Sequence, residues 1–103
     1  VRPSQMIGED AKVEDSVITE GCVVEGEVIN SILFPGVKVE KNARVVNSII
    51  MENVTIESNV IVNKAIILEK SVIKANNVIG NGDDIAVIEA NMIIEPNYGG
   101  VNK

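Results

Sequence analysis

The chain of 103 residues is long enough for one small domain with a modest core. Its net charge of −6, from 9 basic and 15 acidic residues, argues against a nucleic-acid surface and against binding to anionic membranes, because both attract basic patches. The hydrophobic 46% is mostly Val, Ile and Ala, and no apolar run approaches the roughly 20 residues of a membrane helix.

A ten-residue phrase recurs along the chain. SVITEGCVV (16–24) is matched by SILFPGVKV (31–39) at an offset of 15 residues. The spacing then lengthens, because NSILFPGVKV (30–39), NSIIMENVTI (47–56) and the fainter KAIILEKSVI (64–73) start 17 residues apart. A repeat of this size indicates units that bury their apolar side only by stacking on their neighbours.

The repeat continues towards the end of the chain. VIKANNVI (72–79) matches VIEANMII (87–94), again at an offset of 15. The coils therefore cover about residues 7–94 of a single domain, residues 1–103. The tail EPNYGGVNK (95–103) lacks the pattern, and we expect it to be loose or to cap the last coil.

The period predicts a parallel β solenoid. A unit of 17 residues is too short for two-helix repeats, which need about 33, and its β-branched residues favour strands. Apolar anchors five or six residues apart give three short sides per coil, so successive coils pair as parallel strands. The predicted stacked columns are Ile32, Ile49 and Ile66; Leu33, Ile50 and Ile67; Val39, Ile56 and Ile73; Val45, Val62 and Ile79; and Ser31, Ser48 and Ala65.

Two further columns predict the corners of the coil. Asn tolerates left-handed backbone angles better than any residue except Gly. A first corner column is predicted at Asn42, Asn59, Asn76 and Asn91, following offsets of 17, 17 and 15. A second column is predicted at Gly21, Gly36 and Asn53, broken at Lys70.

Three steps of about six residues per coil resemble the hexapeptide repeat of left-handed parallel β-helices. The fold class is therefore expected to be all-β, a left-handed parallel β-helix. The left hand comes from the resemblance alone and runs against the usual right-handed crossover. Acyltransferases and carbonic anhydrases with this repeat use His as base or zinc ligand, and the absence of His disfavours both activities.

No catalytic or metal-binding residue is predicted. Cys22 lies in a column with Val37 and Val54, which indicates a buried structural thiol. A calcium site at Asp83 and Asp84 is conceivable, but a solvated loop is favoured. As the single cysteine, Cys22 excludes an internal disulfide and indicates a reducing cytoplasm.

The run EGEVINSILFPGVKVEKNARVVNSIIM (25–51) makes the resemblance more specific. It is similar to the C-terminal β-helix domain of bacterial glucose-1-phosphate adenylyltransferase and of its sister subunit in glycogen biosynthesis, over about residues 7–79. The resemblance implies a parent that makes ADP-glucose from ATP and glucose 1-phosphate with magnesium. The alternative parent is another sugar-nucleotide pyrophosphorylase, such as a mannose-1-phosphate guanylyltransferase.

The family's catalysis belongs to an N-terminal nucleotidyltransferase domain that these residues do not include. The start at Val1 rather than Met is what an excised or processed fragment would show. We therefore expect a chain that is inert alone and needs no cofactor of its own. Its expected partners are its own nucleotidyltransferase domain and related subunits in a homo- or hetero-oligomer, with no nucleic acid and no membrane.

Five residues are candidates for binding. Lys38, Lys41 and Arg44 form the nearest approach to a basic cluster and could hold an anionic effector, although scattered solubility charges are the alternative. Phe34 and Pro35 interrupt the aliphatic pattern and could face a subunit or domain contact, the alternative being a bulky corner without a partner.

The sequence departs from the family where an effector would bind. Members regulated by sugar phosphates often carry an arginine-rich stretch aligned near VIVNKAIILEK (60–70). Here only Lys64 and Lys70 are basic in that stretch, which predicts weakened effector binding.

Overall fold

Frequent β-branched residues, interrupted every few positions by turn-forming Asn and Gly, produce strands of only two or three residues. The computed structural model describes residues 5–80 and 83–96. Within these ranges the chain forms sixteen strands and no helix, so no helix there could cross a membrane. All strand pairs are parallel, and the strands make three sheets.

Each coil contributes one strand to each of the three walls of a prism. The first sheet contains β1 (Met6–Ile7), β4 (Val23–Val24), β7 (Lys38–Val39), β10 (Thr55–Ile56), β13 (Val72–Ile73) and β16 (Ile93–Ile94). The second sheet contains β2 (Lys12–Glu14), β5 (Glu27–Ile29), β8 (Arg44–Val46), β11 (Ile61–Asn63) and β14 (Val78–Ile79). The third sheet contains β3 (Val17–Ile18), β6 (Ile32–Leu33), β9 (Ile49–Ile50), β12 (Ala65–Ile67) and β15 (Ala86–Ile88).

The strand register confirms the parallel β-helix and its coil length. Along the first sheet, the paired residues are Met6, Val23, Lys38, Thr55, Val72 and Ile93. The five coils therefore contain 17, 15, 17, 17 and 21 residues. The left hand of the helix stays a prediction from the resemblance.

The core is a set of aliphatic columns that point into the prism. Three of the four predicted aliphatic columns are fully buried. They are Val39, Ile56 and Ile73 from the first sheet, Val45, Val62 and Ile79 from the second, and Leu33, Ile50 and Ile67 from the third. The prism thus buries small branched side chains in layers, as the shortage of aromatic residues predicts.

Three corners join the walls, and at most of them a residue with positive φ turns the chain. The first corner, between the first and second sheets, has Asn42, Asn59 and Asn76 at φ values of 66°, 63° and 69°. This confirms three of the four asparagines predicted for that column. The second corner, between the second and third sheets, uses Asp15, Asn30, Asn47 and Lys64, a column that the sequence prediction missed.

The third corner, which leads back to the first sheet, corrects two predictions. Its positive-φ residues are Gly21, Gly36, Asn53, Lys70 and Asn91. The column is not broken at Lys70, because the Lys70 N–H donates to the carbonyl of Glu52 at 2.9 Å. Asn91 belongs here and not to the first corner, since its N–H donates to the carbonyl of Glu69 at 3.0 Å. This repeated bond between coils fixes the left-handed turn whichever side chain is present.

The offset of 15 predicted for residues 72–79 and 87–94 is wrong. Val72 pairs with Ile93, whereas Val87 lies on the third sheet and pairs with Ile66. The last complete coil carries four more residues than its neighbours, between β14 and β15 at the second corner. The sequence match aligned strands that belong to different sheets, because the short aliphatic strands of all three sheets have similar sequences. Most of the predicted tail, residues 97–103, lies outside the described residues.

Candidate functional site

The described ranges, 5–80 and 83–96, contain no group of three or more acidic or Cys side chains placed to hold a metal ion. Cys22 is buried, as predicted, and its Sγ lies 3.2 Å from the carbonyl oxygen of Phe34. Asp83 and Asp84 lie exposed in the long second-corner loop, where the Asp83 carbonyl accepts a 2.7 Å hydrogen bond from Lys64 Nζ.

The three predicted anion-binding residues are spread around the first corner. Lys38 points outward from the first sheet, Lys41 lies in the corner, and Arg44 points outward from the second sheet. Arg44 Nε is 3.4 Å from Glu27 Oε1 in the coil before it. The structure therefore brings Lys41 and Arg44 to one cleft and leaves Lys38 on another wall.

That cleft, of about 500 Å³, exists because the second coil is two residues short at the first corner. Gly26 replaces the Asn turn there, and a Cβ on it would lie 2.7 Å from the carbonyl oxygen of Glu40 and closer still to that of Ala43. The charged residues that line the cleft are Asp10, Glu25, Glu27, Lys41 and Arg44. Carboxylates outnumber cations, which disfavours an anionic ligand.

The third sheet presents an aliphatic column to solvent. Ile32, Ile49 and Ile66 stack as predicted, but they point out of the prism because the adjacent residue in each strand points in. Ile32 is 39% exposed and Ile49 is 36% exposed. Val17 and Val87 extend the column by one coil at each end. Five successive coils thus carry an outward branched aliphatic residue on this wall.

A second outward column runs beside the first, one residue after the ends of the strands of the third sheet. It consists of Thr19, Phe34, Met51 and Leu68, each half-buried and outside the core cluster. Backbone bonds set this stacking, since the Phe34 N–H donates to the carbonyl of Ile50 at 2.9 Å. Pro35 follows at the third corner and is also half-buried. The two predicted interface residues, Phe34 and Pro35, therefore lie in and beside this second column, and their role in a contact stays a prediction.

The other two walls are mixed. The outward residues of the second sheet include Lys12, Glu27, Arg44, Ile61 and Val78. Those of the first sheet include Lys38 and Thr55 between apolar neighbours. We call the outer surface formed by the two columns of the third sheet the apolar wall. It is the candidate functional surface, because a contiguous apolar patch marks an interaction site more often than scattered ones do.

Two polar ladders stiffen the second corner at the edge of the apolar wall. Asn30 Nδ2 donates to Asn47 Oδ1 at 2.6 Å on the surface. Inside, Ser31 Oγ donates to the carbonyl of Ile29 at 2.8 Å and accepts from the Ser48 N–H at 3.0 Å. Ser48 repeats the arrangement with the carbonyl of Val46 and the Ala65 N–H. The edge of the wall is therefore fixed coil by coil.

The sequence carried a signal for the apolar wall. Two consecutive aliphatic residues in a two-residue strand cannot both face the core, because side chains alternate across a strand. The repeated pairs Ile32 with Leu33 and Ile49 with Ile50 therefore require one column to face outward. The cleft also had a signal in the repeat, because the offset of 15 between residues 16–24 and 31–39, against 17 for the next repeats, marks one coil as two residues short.

The sequences of known proteins match this chain. A sequence model of the family "GlmU-like, C-terminal hexapeptide" matches residues 3–97. Glucose-1-phosphate adenylyltransferase of Clostridium beijerinckii is 60% identical over 43 residues, which cover 42% of this chain and 11% of the relative. That of Clostridium botulinum (strain Eklund 17B) is 64% identical over 42 residues, or 41% and 11%. That of Bacillus cytotoxicus is 55% identical over 42 residues, with the same coverage. The chain therefore matches only a small part of each relative's length.

Proposed function

This chain belongs to the family of GlmU-like C-terminal hexapeptide domains, and we propose that it is the non-catalytic assembly and regulatory domain of a glucose-1-phosphate adenylyltransferase-like protein. The similarity to adenylyltransferases supports this parent and, through it, a role in glycogen biosynthesis. In this proposal, ATP, glucose 1-phosphate and magnesium are used by a separate N-terminal nucleotidyltransferase domain in the cytoplasm.

The apolar wall is the observation that carries the assembly role. Its outward Ile32 and Ile49 are exposed to water, although Leu33 and Ile50, one position along the same strands, are fully buried. Burying such a surface against a partner is favourable by about 25 cal/mol per Å². The contacts of the chain are therefore expected where this wall meets another domain or subunit.

The rigidity of the prism supports the proposed regulatory role. Each coil is hydrogen-bonded to the coils before and after it, so a displacement at one position moves its neighbours with it. An anion at the first-corner cleft would have to separate Arg44 from Glu27 and overcome the acidic lining. We therefore assign regulation to domain contacts passed through the prism and not to a strong effector site within it.

Deleting the domain tests the proposal. The full-length protein and a version lacking residues 5–96 are compared for ADP-glucose synthesis and for mass in sedimentation. We expect the deletion to reduce the oligomer and to alter activity or its response to sugar phosphates, while the isolated chain shows no turnover. Turnover by the isolated chain, or a deletion without effect on assembly and activity, would contradict the proposal.

The same assay distinguishes the adenylyltransferase parent from the alternative parent, a mannose-1-phosphate guanylyltransferase. Synthesis of GDP-mannose from GTP and mannose 1-phosphate, with none of ADP-glucose, would assign the chain to a guanylyltransferase. The assembly role would then stand with a different reaction.

A further inference from the structure

We infer that the apolar wall docks on the apolar wall of a second copy of this chain, with the two prisms antiparallel and related by a two-fold axis. The inference rests on the proposed assembly function and names its surface, its partner and its orientation. Two features carry it, the apolar character of the wall and the charges at its edge, and the size of the contact predicts how strong it is.

The wall is self-complementary in its apolar rows. A two-fold axis that runs along the strand direction, between the second and third coils, places each coil opposite a different coil of the partner. Ile32 then faces the partner's Ile49, and Phe34 faces the partner's Met51, a favourable sulfur–aromatic pair. Val17 of the first coil faces the partner's Ile66 in the same way. In the second column Leu68 faces the partner's Thr19, and the other rows of the first four coils pair apolar with apolar residues.

The charges at the second corner select the antiparallel orientation. Along this edge of the wall, the corner residues are Asp15 in the first coil, Asn30 and Asn47 in the middle, and Lys64 in the fourth. The antiparallel two-fold keeps second corners together and reverses the coil order. Asp15 therefore lies opposite the partner's Lys64, and the two asparagines meet across the axis.

The parallel orientation lacks this match. A two-fold axis along the prism would place the second corner of each chain opposite the third corner of its partner, coil by coil. Asp15 would then meet the partner's Gly21 and its exposed neighbour Glu20, which is a like charge. Lys64 would lie beside the partner's Glu69 and Lys70, which carry opposite charges. Like charges placed together oppose association, and the second contact is mixed, so the edge favours the antiparallel orientation.

The contact is small, which predicts a weak dimer of the isolated chain. The shortest extent of the molecule is 21 Å. With strands about 4.8 Å apart, four coils cover about 19 Å, which gives roughly 400 Å² of projected area per partner. Interfaces of this size are at or below the lower end of specific contacts. In the full-length protein, other domains would add to the area.

Sedimentation equilibrium of the full 103-residue chain, up to about 1 mM, tests the inference. We expect a reversible monomer–dimer equilibrium that Ile49→Lys weakens at least tenfold, because the substitution puts charges beside the two-fold axis. Ile61→Lys is the matched control, since Ile61 is an outward isoleucine of the second sheet with 44% exposure. It should leave the dimer unchanged, and circular dichroism should show both variants folded.

A charge exchange tests the orientation. Asp15 and Lys64 both have positive φ, so each position accepts the other's residue type without a new backbone conformation. Asp15→Lys and Lys64→Asp should each weaken the dimer roughly three- to tenfold, and the double variant should restore it to within about twofold. A double variant as weak as the sum of the two single ones would overturn the antiparallel pairing.

Two other results would overturn the inference. A wild-type chain that is strictly monomeric at about 1 mM, or equal losses from Ile49→Lys and Ile61→Lys, would show that the wall is not a self-contact. If, in addition, Ile49→Lys in the full-length protein lowered activity without changing its mass, the occupant would be the protein's own nucleotidyltransferase domain. The proposed assembly function would survive that result, since it fails only in the deletion experiment.

Discussion

Ile49 and Ile50 are neighbours in β9, yet they lie on opposite sides of the wall. Ile50 is fully buried in the core column with Leu33 and Ile67, whereas Ile49 is 36% exposed in the outward column with Ile32 and Ile66. The residue type is the same, so the difference comes only from the alternation of side chains across a strand. Burial of the inner column stabilises the fold of one chain. The outer column contributes little until something covers it.

The largest expected effect is the loss of stability when the inner isoleucine, and not the outer one, is truncated. Ile50→Ala should lower the free energy of unfolding by about 2–5 kcal/mol, because it leaves a cavity between stacked layers. Ile49→Ala should lower it by less than about 1 kcal/mol, since its side chain is already partly in water. Urea denaturation of dilute, monomeric chain measures both values. Equal losses would mean that the outer column belongs to the core of the single chain.

The next substitution tests whether the short corner at Gly26 is packed as tightly as the inner column. Gly26→Ala should cost about 1–3 kcal/mol, because its Cβ would overlap the carbonyls of Glu40 and Ala43. Gly8→Ala is the control, since a Cβ there meets its nearest atoms at 3.4 Å. Thermal unfolding of the two variants compares them. A neutral Gly26→Ala would show that the short coil can shift away from the next one.

A third substitution tests the polar part of the inner wall. Ser48→Ala leaves the buried Ala65 N–H and Val46 carbonyl without their side-chain partner, at a cost of about 1–3 kcal/mol. Ser58→Ala should cost well under 1 kcal/mol, since its hydroxyl makes one longer contact of 3.3 Å with Glu40. Amide hydrogen exchange should show faster exchange at Ala65 in the first variant only. Unchanged protection of that amide would count against the ladder.

The smallest effect is a stabilisation on the outside of the prism. Lys70→Asn should raise the free energy of unfolding by about 0.5 kcal/mol, because Asn tolerates its φ of 64° better than Lys does. Lys38→Asn should be neutral or slightly destabilising, since Lys38 lies in a strand and Asn is a poor strand former. Denaturation midpoints of both variants provide the measurement. A destabilised Lys70→Asn would indicate that the lysine stem has a packing role.

The sequence was sufficient for the central coils because their period is constant. The spacing of 17 residues and the columns around Ile56, Val62 and Ile67 agree with the strand register, and the buried Cys22 was also predicted.

Corner positions were predicted correctly for the asparagines of the first corner and for the Gly and Asn residues at the start of the third. The prediction missed Asn30 and Asn47 at the second corner and placed Asn91 in the wrong column. It also failed at Lys64 and Lys70, because those turns are held by backbone bonds between coils and not by the preference of the side chain.

The ends and the candidate surface were harder to predict. Four extra residues in the last coil shifted every later strand, and a match between aliphatic strands cannot tell one wall from another. The basic cluster was predicted because its residues are close in sequence, but Lys38 and Arg44 lie on different walls of the prism. The apolar wall could have been inferred from consecutive isoleucines, whereas the charges at its edge needed the coil register.

Changes in coil length fall at the corners: two residues are missing beside Gly26, and four are added before β15. The strands on either side remain paired with the neighbouring coils. Along the axis of the prism, neighbouring coils are spaced by a constant distance of about 4.8 Å. Insertions and deletions at the corners can therefore change the local surface without changing the spacing of the coils. The distance between two binding positions on different coils stays the same.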